Sequence, residues 1–175
     1  MLKRDKIRLL KIGLSCLRRK EDKRPIFSPT SPTKKEIENI KNSLEKGNVE
    51  EDLLKKFFPM AYDGVNKYGF FKYFFYVHNK LIRSLERYQN KLYEWCTAYP
   101  AVIVSKINSK YVVETIDKKR LVTDSKVYPG IIAEKNLKIG DFVVLHRNKI
   151  HMKLNEKEFK IAIKFYNKFK EECNK

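Results

Sequence analysis

Glycine, histidine and cysteine are all scarce in this chain, and each scarcity removes a class of function. Six glycines among 175 residues leave no Gly-rich loop whose amides could cradle a phosphate. The three histidines include no His-Glu-x-x-His pair, and there is no nucleophile elbow. An enzyme is therefore not expected. Cys16, Cys96 and Cys173 lie far apart with no Cys-x-x-Cys pair, which points to free thiols in a reducing interior. No apolar run approaches the roughly 20 residues needed to cross a bilayer. The longest, Phe70 to Val77, is broken by Lys72. With no secretory leader recognised, the expected location is the cytoplasm.

What is present argues for a folded protein. A hydrophobic fraction of 42% with 13% aromatics is enough for one good core, or one compact domain with a helical module attached. The net charge of +18 raises nucleic acid or an anionic surface as a partner. Its spread along the chain and the excess of Lys over Arg weaken that inference, because phosphate and base readers favour the forked Arg guanidinium.

Residues 1–32 read as a basic arm and a Pro-rich linker. Leu2, Ile7, Leu9, Leu10, Ile12, Leu14 and Leu17 fit a helix loosely, interrupted by Gly13, so a solvated, fraying arm is expected. Arg18-Arg19-Lys20 could alternatively touch RNA or an acidic surface. Pro25, Pro29 and Pro32 forbid continuous helix.

Residues 33–95 read as a helical domain. Thr33 and Glu36 form a capping-box pattern, with Gly47 as the stop. Asn48 is expected to cap a second helix through Phe58, acidic at its start and basic at its end. Seven aromatics crowd residues 68–77, at a spacing that fits a core better than a binding groove. His78 is expected to be a hydrogen-bonded structural histidine. Helical spacing continues from Leu81 to Trp95.

From Pro100 the period becomes that of strands. Runs 101–107 and 110–116 flank Asn108-Ser109 as a hairpin. Arg120 to Asp124 follows a charged turn, and Asp141–His146 and Lys149–Leu154 pair around Arg147-Asn148. About five short strands suggest a small closed barrel. Asn155 and Glu158 then open a terminal helix with the stripe Phe159, Ile163, Tyr166 and Phe169. The expected fold class is α+β: an N-terminal helical segment, then a five-stranded barrel with a C-terminal helix over residues 96–175.

Cys96 stands at the entrance to the first strand, in Cys96-Thr97-Ala98-Tyr99-Pro100-Ala101. That position favours a partly exposed, usable sulfur, while a buried inert thiol is the commoner fate of an isolated cysteine. The Cys-x-Ala-x-Pro spacing resembles the opening of the HypC/HupF chaperones of nickel-iron hydrogenase maturation. Ile139-Gly140-Asp141-Phe142-Val143-Val144-Leu145-His146 looks like the same family's Val-Gly-Asp-Tyr-Val-Leu-Val-His signature.

The resemblance implies an oligonucleotide-binding-like barrel and a non-enzymatic chaperone in metallocentre assembly. It implies that Cys96 and His146 hold an iron centre in transit, thiolate and imidazole both suiting iron. It further implies that Thr97, Ala98, Tyr99 and Pro100 meet a partner such as a hydrogenase large subunit or a maturation scaffold. His151 is expected at the surface. The alternatives are a structural or interaction protein with no metal role, and a nucleic-acid-binding module. The latter would use Tyr99, Lys106, Lys110, Tyr111, Lys118, Lys119, Arg120 and Tyr128.

Overall fold

The computed structural model describes residues 1–17, 31–85 and 96–173. The chain divides into two compact units, Met1–Phe70 and Phe71–Lys175. Most of the Pro-rich linker and the helical pattern beyond Leu85 lie outside the described residues.

The first unit is helical. It comprises α1 (Lys3–Gly13), a 3-10 turn (Leu14–Cys16), α2 (Lys34–Lys46), α3 (Glu51–Phe57) and α4 (Pro59–Tyr68). The expected fraying arm is instead a core helix: Leu9, Leu10, Ile12 and Leu14 are fully buried, and α1 packs on α3 and α4. The reason lies at Gly13, where a Cβ would stand 2.7 Å from the Phe58 ring. Glycine there permits close approach and does not interrupt the helix. Lys6 pairs with Glu51 at 2.7 Å. The capping box of Thr33 with Glu36 forms, and Gly47 takes the left-handed conformation at φ 60°. Asn48 does not cap α3, whose N-cap is Glu50.

The second unit is α+β. Helix α5 (Phe70–Lys72), whose first residue closes the first unit, continues into a π-helical turn (Tyr73–His78) and α6 (Asn79–Leu85). Of the aromatic block, Tyr73, Phe74 and Phe75 are buried, as expected of a core. Then come β1 (Tyr99–Ile107), β2 (Lys110–Thr115), β3 (Arg120–Thr123), β4 (Lys126–Tyr128), β5 (Ile131–Ile132), β6 (Phe142–His146) and β7 (Lys149–Leu154). The last element is α7 (Glu156–Cys173), opened by a reciprocal Asn155–Glu158 cap.

The five-stranded sheet is antiparallel with order β3-β2-β1-β6-β7, and it is not closed into a barrel. Its edge strands meet only at one end. Ile150 N–H donates to the Asp124 carbonyl at 2.9 Å, Thr123 Oγ1 donates to the Asn148 carbonyl at 2.6 Å, and Lys149 pairs with Asp124 at 3.0 Å. One main-chain bond is no ladder, and the connection 124–141, which carries the separate β4–β5 hairpin, follows β3 directly. The inner face holds the core of Ala101, Ile103, Val113, Val143, Leu145 and Ile150, with Leu137 supplied by the connection. Helix α7 packs on β1, β6, β7 and the π turn. Phe142 stacks on Phe159 at 4.3 Å between ring centroids. Among the described residues no helix is long and apolar enough to cross a membrane.

Candidate functional site

Of the two residues singled out for iron, the ring of His146 reaches the main chain of Cys96. Cys96 and Thr97 lie just before β1, and His146 ends β6, which pairs with the start of β1 through Tyr99 opposite Leu145. The imidazole of His146 hydrogen-bonds the main chain of Cys96.

That contact does not bring accessibility. Cys96 is 4% exposed and His146 1%, so the expected partly exposed sulfur is in fact taken into the interior. The following segment is sealed as well: Thr97 and Ala98 are fully buried, Pro100 is buried and Tyr99 is half-buried. As they stand, Thr97, Ala98 and Pro100 offer no surface to a partner.

The burial has a local cause. Asn79, itself fully buried, accepts from Ala98 N–H at 2.9 Å and donates through Nδ2 to the Ala98 carbonyl at 3.0 Å. Its Nδ2 also reaches the Phe75 carbonyl at 3.4 Å, a group in the π turn, where the usual main-chain donor, Asn79 N–H, goes to the Tyr76 carbonyl instead. One amide thus fastens the pre-strand segment to the helix. Sequence reading missed Asn79. The available signal was an amide directly following a long aromatic run, where burial demands partners for every polar atom.

His78 and His151 complete a cluster of all three histidines of the chain. The His146 ring lies 5.6 Å from that of His78 and 5.7 Å from that of His151, both edge-on. His151 is fully buried, contrary to the expected surface position. The β6–β7 register skips from Leu145 opposite Ile150 to Val144 opposite Met152. His151 is the extra residue of that bulge, and simple alternation fails there. Its Nε2 lies 3.0 Å from the His146 carbonyl. A carbonyl can only accept, so that nitrogen carries the proton. His78 Nδ1 lies 3.4 Å from Asn79 Oδ1, a structural hydrogen bond of the kind expected.

Burial sets the charge state. It pushes His78 down to about 4 against the opposing Asn79 bond. His146 is held well below the ordinary histidine range by burial first, then by the neighbouring His78, His151 and Arg147 charges. Both are neutral at pH 7, the state in which imidazole can ligate a metal. Among the described residues no group of three or more His, Cys, Asp or Glu side chains is disposed to hold a metal ion.

The residues named for nucleic acid do not assemble into a stacking platform. Tyr99 and Tyr111 pack against the inner core, Tyr99 also meeting the Tyr166 ring at 5.6 Å between centroids. Tyr128 is half-buried on β4. Lys106 lies over the Tyr111 ring. Lys106 and Lys110 sit at one end of the β1–β2 hairpin, and Lys118, Lys119 and Arg120 at the other, with Arg120 paired to Glu114 at 3.0 Å and Lys118 at 3.6 Å.

The outer face of β1, β2 and β3 is where apolar groups do reach solvent. Cross-strand partners share a face, so the registers place Val102, Glu114 and Arg120 in one row and Ser105, Val112 and Val122 in the next. Ile107 and Lys110 follow, and Val104 is the bulged residue of β1. Val104, Ile107 and Val122 are 36%, 54% and 59% exposed. Sequence alternation signals such a face, but not that a helix leaves it uncovered. No family model, curated protein or solved structure matches this chain.

Proposed function

We propose that this chain is a non-enzymatic accessory protein that works by holding a partner protein on the outer face of β1, β2 and β3. The observation that carries the reading is the separation of two kinds of residue. The thiol of Cys96 and the imidazoles of His146 and His151 are taken inside. Of the large apolar side chains left exposed among the described residues, Val104, Ile107 and Val122 gather on this one sheet face. A contiguous exposed apolar patch with a polar rim is the usual mark of an interaction surface.

Site-specific photo-crosslinking tests it. A photoreactive residue at Val122 in the full chain, expressed in cells, is expected to yield a discrete protein adduct that the same residue at exposed Ile139 does not. Equal labelling from both positions, or none from Val122, overturns the reading.

The meeting of His146 with Cys96 favours a second reading, in which the accessory role is metallocentre assembly and iron is the cargo. Delivery then requires the segment 96–98 to open. Protein purified without oxygen is expected to accept iron, Cys96→Ala to lose that capacity, and Cys16→Ala and Cys173→Ala to keep it. Identical behaviour of all three variants refutes the metal role.

A further inference from the structure

The exposed face has a free strand beside it, and the main chain there is directed outward. Thr115 N–H donates to the Lys119 carbonyl at 2.9 Å, which makes Thr115 and Lys119 a hydrogen-bonded pair. Such pairs alternate along an antiparallel ladder. By the β2–β3 register, Leu121 and Thr123 therefore bond to β2, whereas Arg120 and Val122 turn their N–H and C=O groups toward the open edge. Among the described residues neither makes a main-chain hydrogen bond on that side. The bond from Ile150 to Asp124 occupies the edge only beyond Thr123.

Charge around this edge is one-sided. From Val104 to Lys126 the chain carries Lys106, Lys110, Lys118, Lys119, Arg120 and Lys126 against Glu114, Asp117 and Asp124. All three acids are already engaged: Glu114 with Arg120 at 3.0 Å, Asp117 with Lys170 at 3.5 Å and Asp124 with Lys149 at 3.0 Å. Lys110 and Lys119 form no ion pair within 4 Å among the described residues. On its own face exposed Val122 lies along β3 between Arg120 and the Asp124–Lys149 pair, whereas Lys119, opposite buried Thr115, belongs to the other face.

We infer that the partner presents an extended acidic segment that adds as a strand to β3, seating an apolar side chain on Val122 between carboxylates that face the flanking Lys and Arg. This rests on the docking reading above and specifies its chemistry. Main-chain bonds to Arg120 and Val122 supply affinity, and the residues two positions either side of the apolar one share its face and supply selectivity. A nucleic acid strand would meet the cations but gain nothing from Val122.

The test uses the full chain and a labelled peptide, Thr-Glu-Thr-Val-Thr-Glu-Thr, capped at both ends and followed by fluorescence anisotropy. Binding is expected to fall at least tenfold when Lys replaces both Glu, when Ser replaces the Val, or in the Val122→Ser protein. That variant alters an exposed position, and its unchanged circular dichroism confirms that it folds. Equal binding of the Lys or Ser peptides overturns the inference. So does tighter binding of an eight-nucleotide oligothymidine that Val122→Ser leaves unchanged. If no peptide binds while the crosslinker at Val122 still captures a protein, the acidic-strand chemistry is wrong and the docking face stands. If both fail, the face itself is wrong.

Discussion

Asn79 holds Ala98 by both of its main-chain groups, across nineteen positions of sequence. An asparagine amide offers one acceptor and two donors, and here all are used, since the remaining Nδ2 hydrogen goes to Phe75. This pairing fixes where the chain enters β1, two residues after Cys96. Removing it leaves the N–H and C=O of a fully buried residue without partners. Asn79→Ala is expected to destabilise the protein by about 2–4 kcal/mol in urea denaturation, the cost of stranding two buried groups. A loss below about 1 kcal/mol would show that water takes over the role.

The thiols should divide by reactivity. Cys96 is buried, whereas Cys16 and Cys173 are half-exposed. Titration of native protein with a thiol reagent is expected to show two fast sulfurs and a third that reacts only on unfolding. Asn79→Ala should accelerate the third by loosening the segment before β1. Three equally fast thiols in the unaltered protein would contradict the sealed position of Cys96, and would restore the simplest form of iron delivery.

Acid should weaken the fold through the buried histidines. In the unfolded chain they titrate at the ordinary value of 6.5, whereas folded His78 does so at about 4 and His146 well below 6.5. Between those values the unfolded state binds protons that the native state refuses, so stability is full above pH 6.5 and declines as pH falls toward 4. His78 alone accounts for up to about 3 kcal/mol of that decline. The folded carboxyls of Glu36 and Glu51, drawn down to about 2 chiefly by Lys56 and by Lys6, contribute stability that is lost only below their ordinary value of 4.5. Urea midpoints measured at pH 7.5, 6 and 5 should therefore fall steadily, and His78→Gln should flatten the slope. A flat profile in the unaltered protein would mean that the cluster hydrates and titrates normally.

Local signals in the sequence were the ones that the fold followed. The Thr33–Glu36 and Asn155–Glu158 caps, the hairpins at Asn108-Ser109 and Arg147-Asn148 and the five strands all depend on neighbours within a few residues, and all form. The terminal stripe holds too, with Phe159, Tyr166 and Phe169 buried. What failed depended on distant partners. Loose periodicity in residues 1–17 hid a core helix because the ring that accommodates Gly13 belongs to Phe58. The barrel stays open because β3 and β7 form no ladder and meet in the main chain only through the bond from Ile150 to Asp124. At the site, proximity of Cys96 and His146 was implied only by the family resemblance, since nothing in the sequence pairs β1 with β6, and burial was not anticipated. It follows from Asn79 and from a bulge at His151, and neither has a signature in spacing.

Gly13 provides a sharp check on the first unit. Alanine ordinarily gains about 1 kcal/mol over glycine inside a helix. Here its methyl would stand 2.7 Å from a ring carbon of buried Phe58, and overpacking of that kind typically costs 1–3 kcal/mol. Gly13→Ala is thus expected to lower stability on balance, and Gly13→Ala with Phe58→Leu to recover most of the loss. A stabilised single variant would mean that α1 does not approach Phe58 so closely.

The turn after His146 offers a change in the opposite direction. Arg147 and Asn148 adopt φ of 51° and 55°, the left-handed pair of a two-residue type I′ hairpin, for which Asn-Gly is the favoured sequence. Holding an arginine there costs roughly 1 kcal/mol. The guanidinium also adds a positive charge that helps keep His146 neutral. Replacing Arg147 by Asn and Asn148 by Gly relieves both effects. The double variant is expected to be more stable by about 1 kcal/mol at pH 7.5, and its total loss of stability on acidification is expected to be smaller. A gain at pH 7.5 with an unchanged total loss would assign the whole effect to the backbone and none to the histidine cluster.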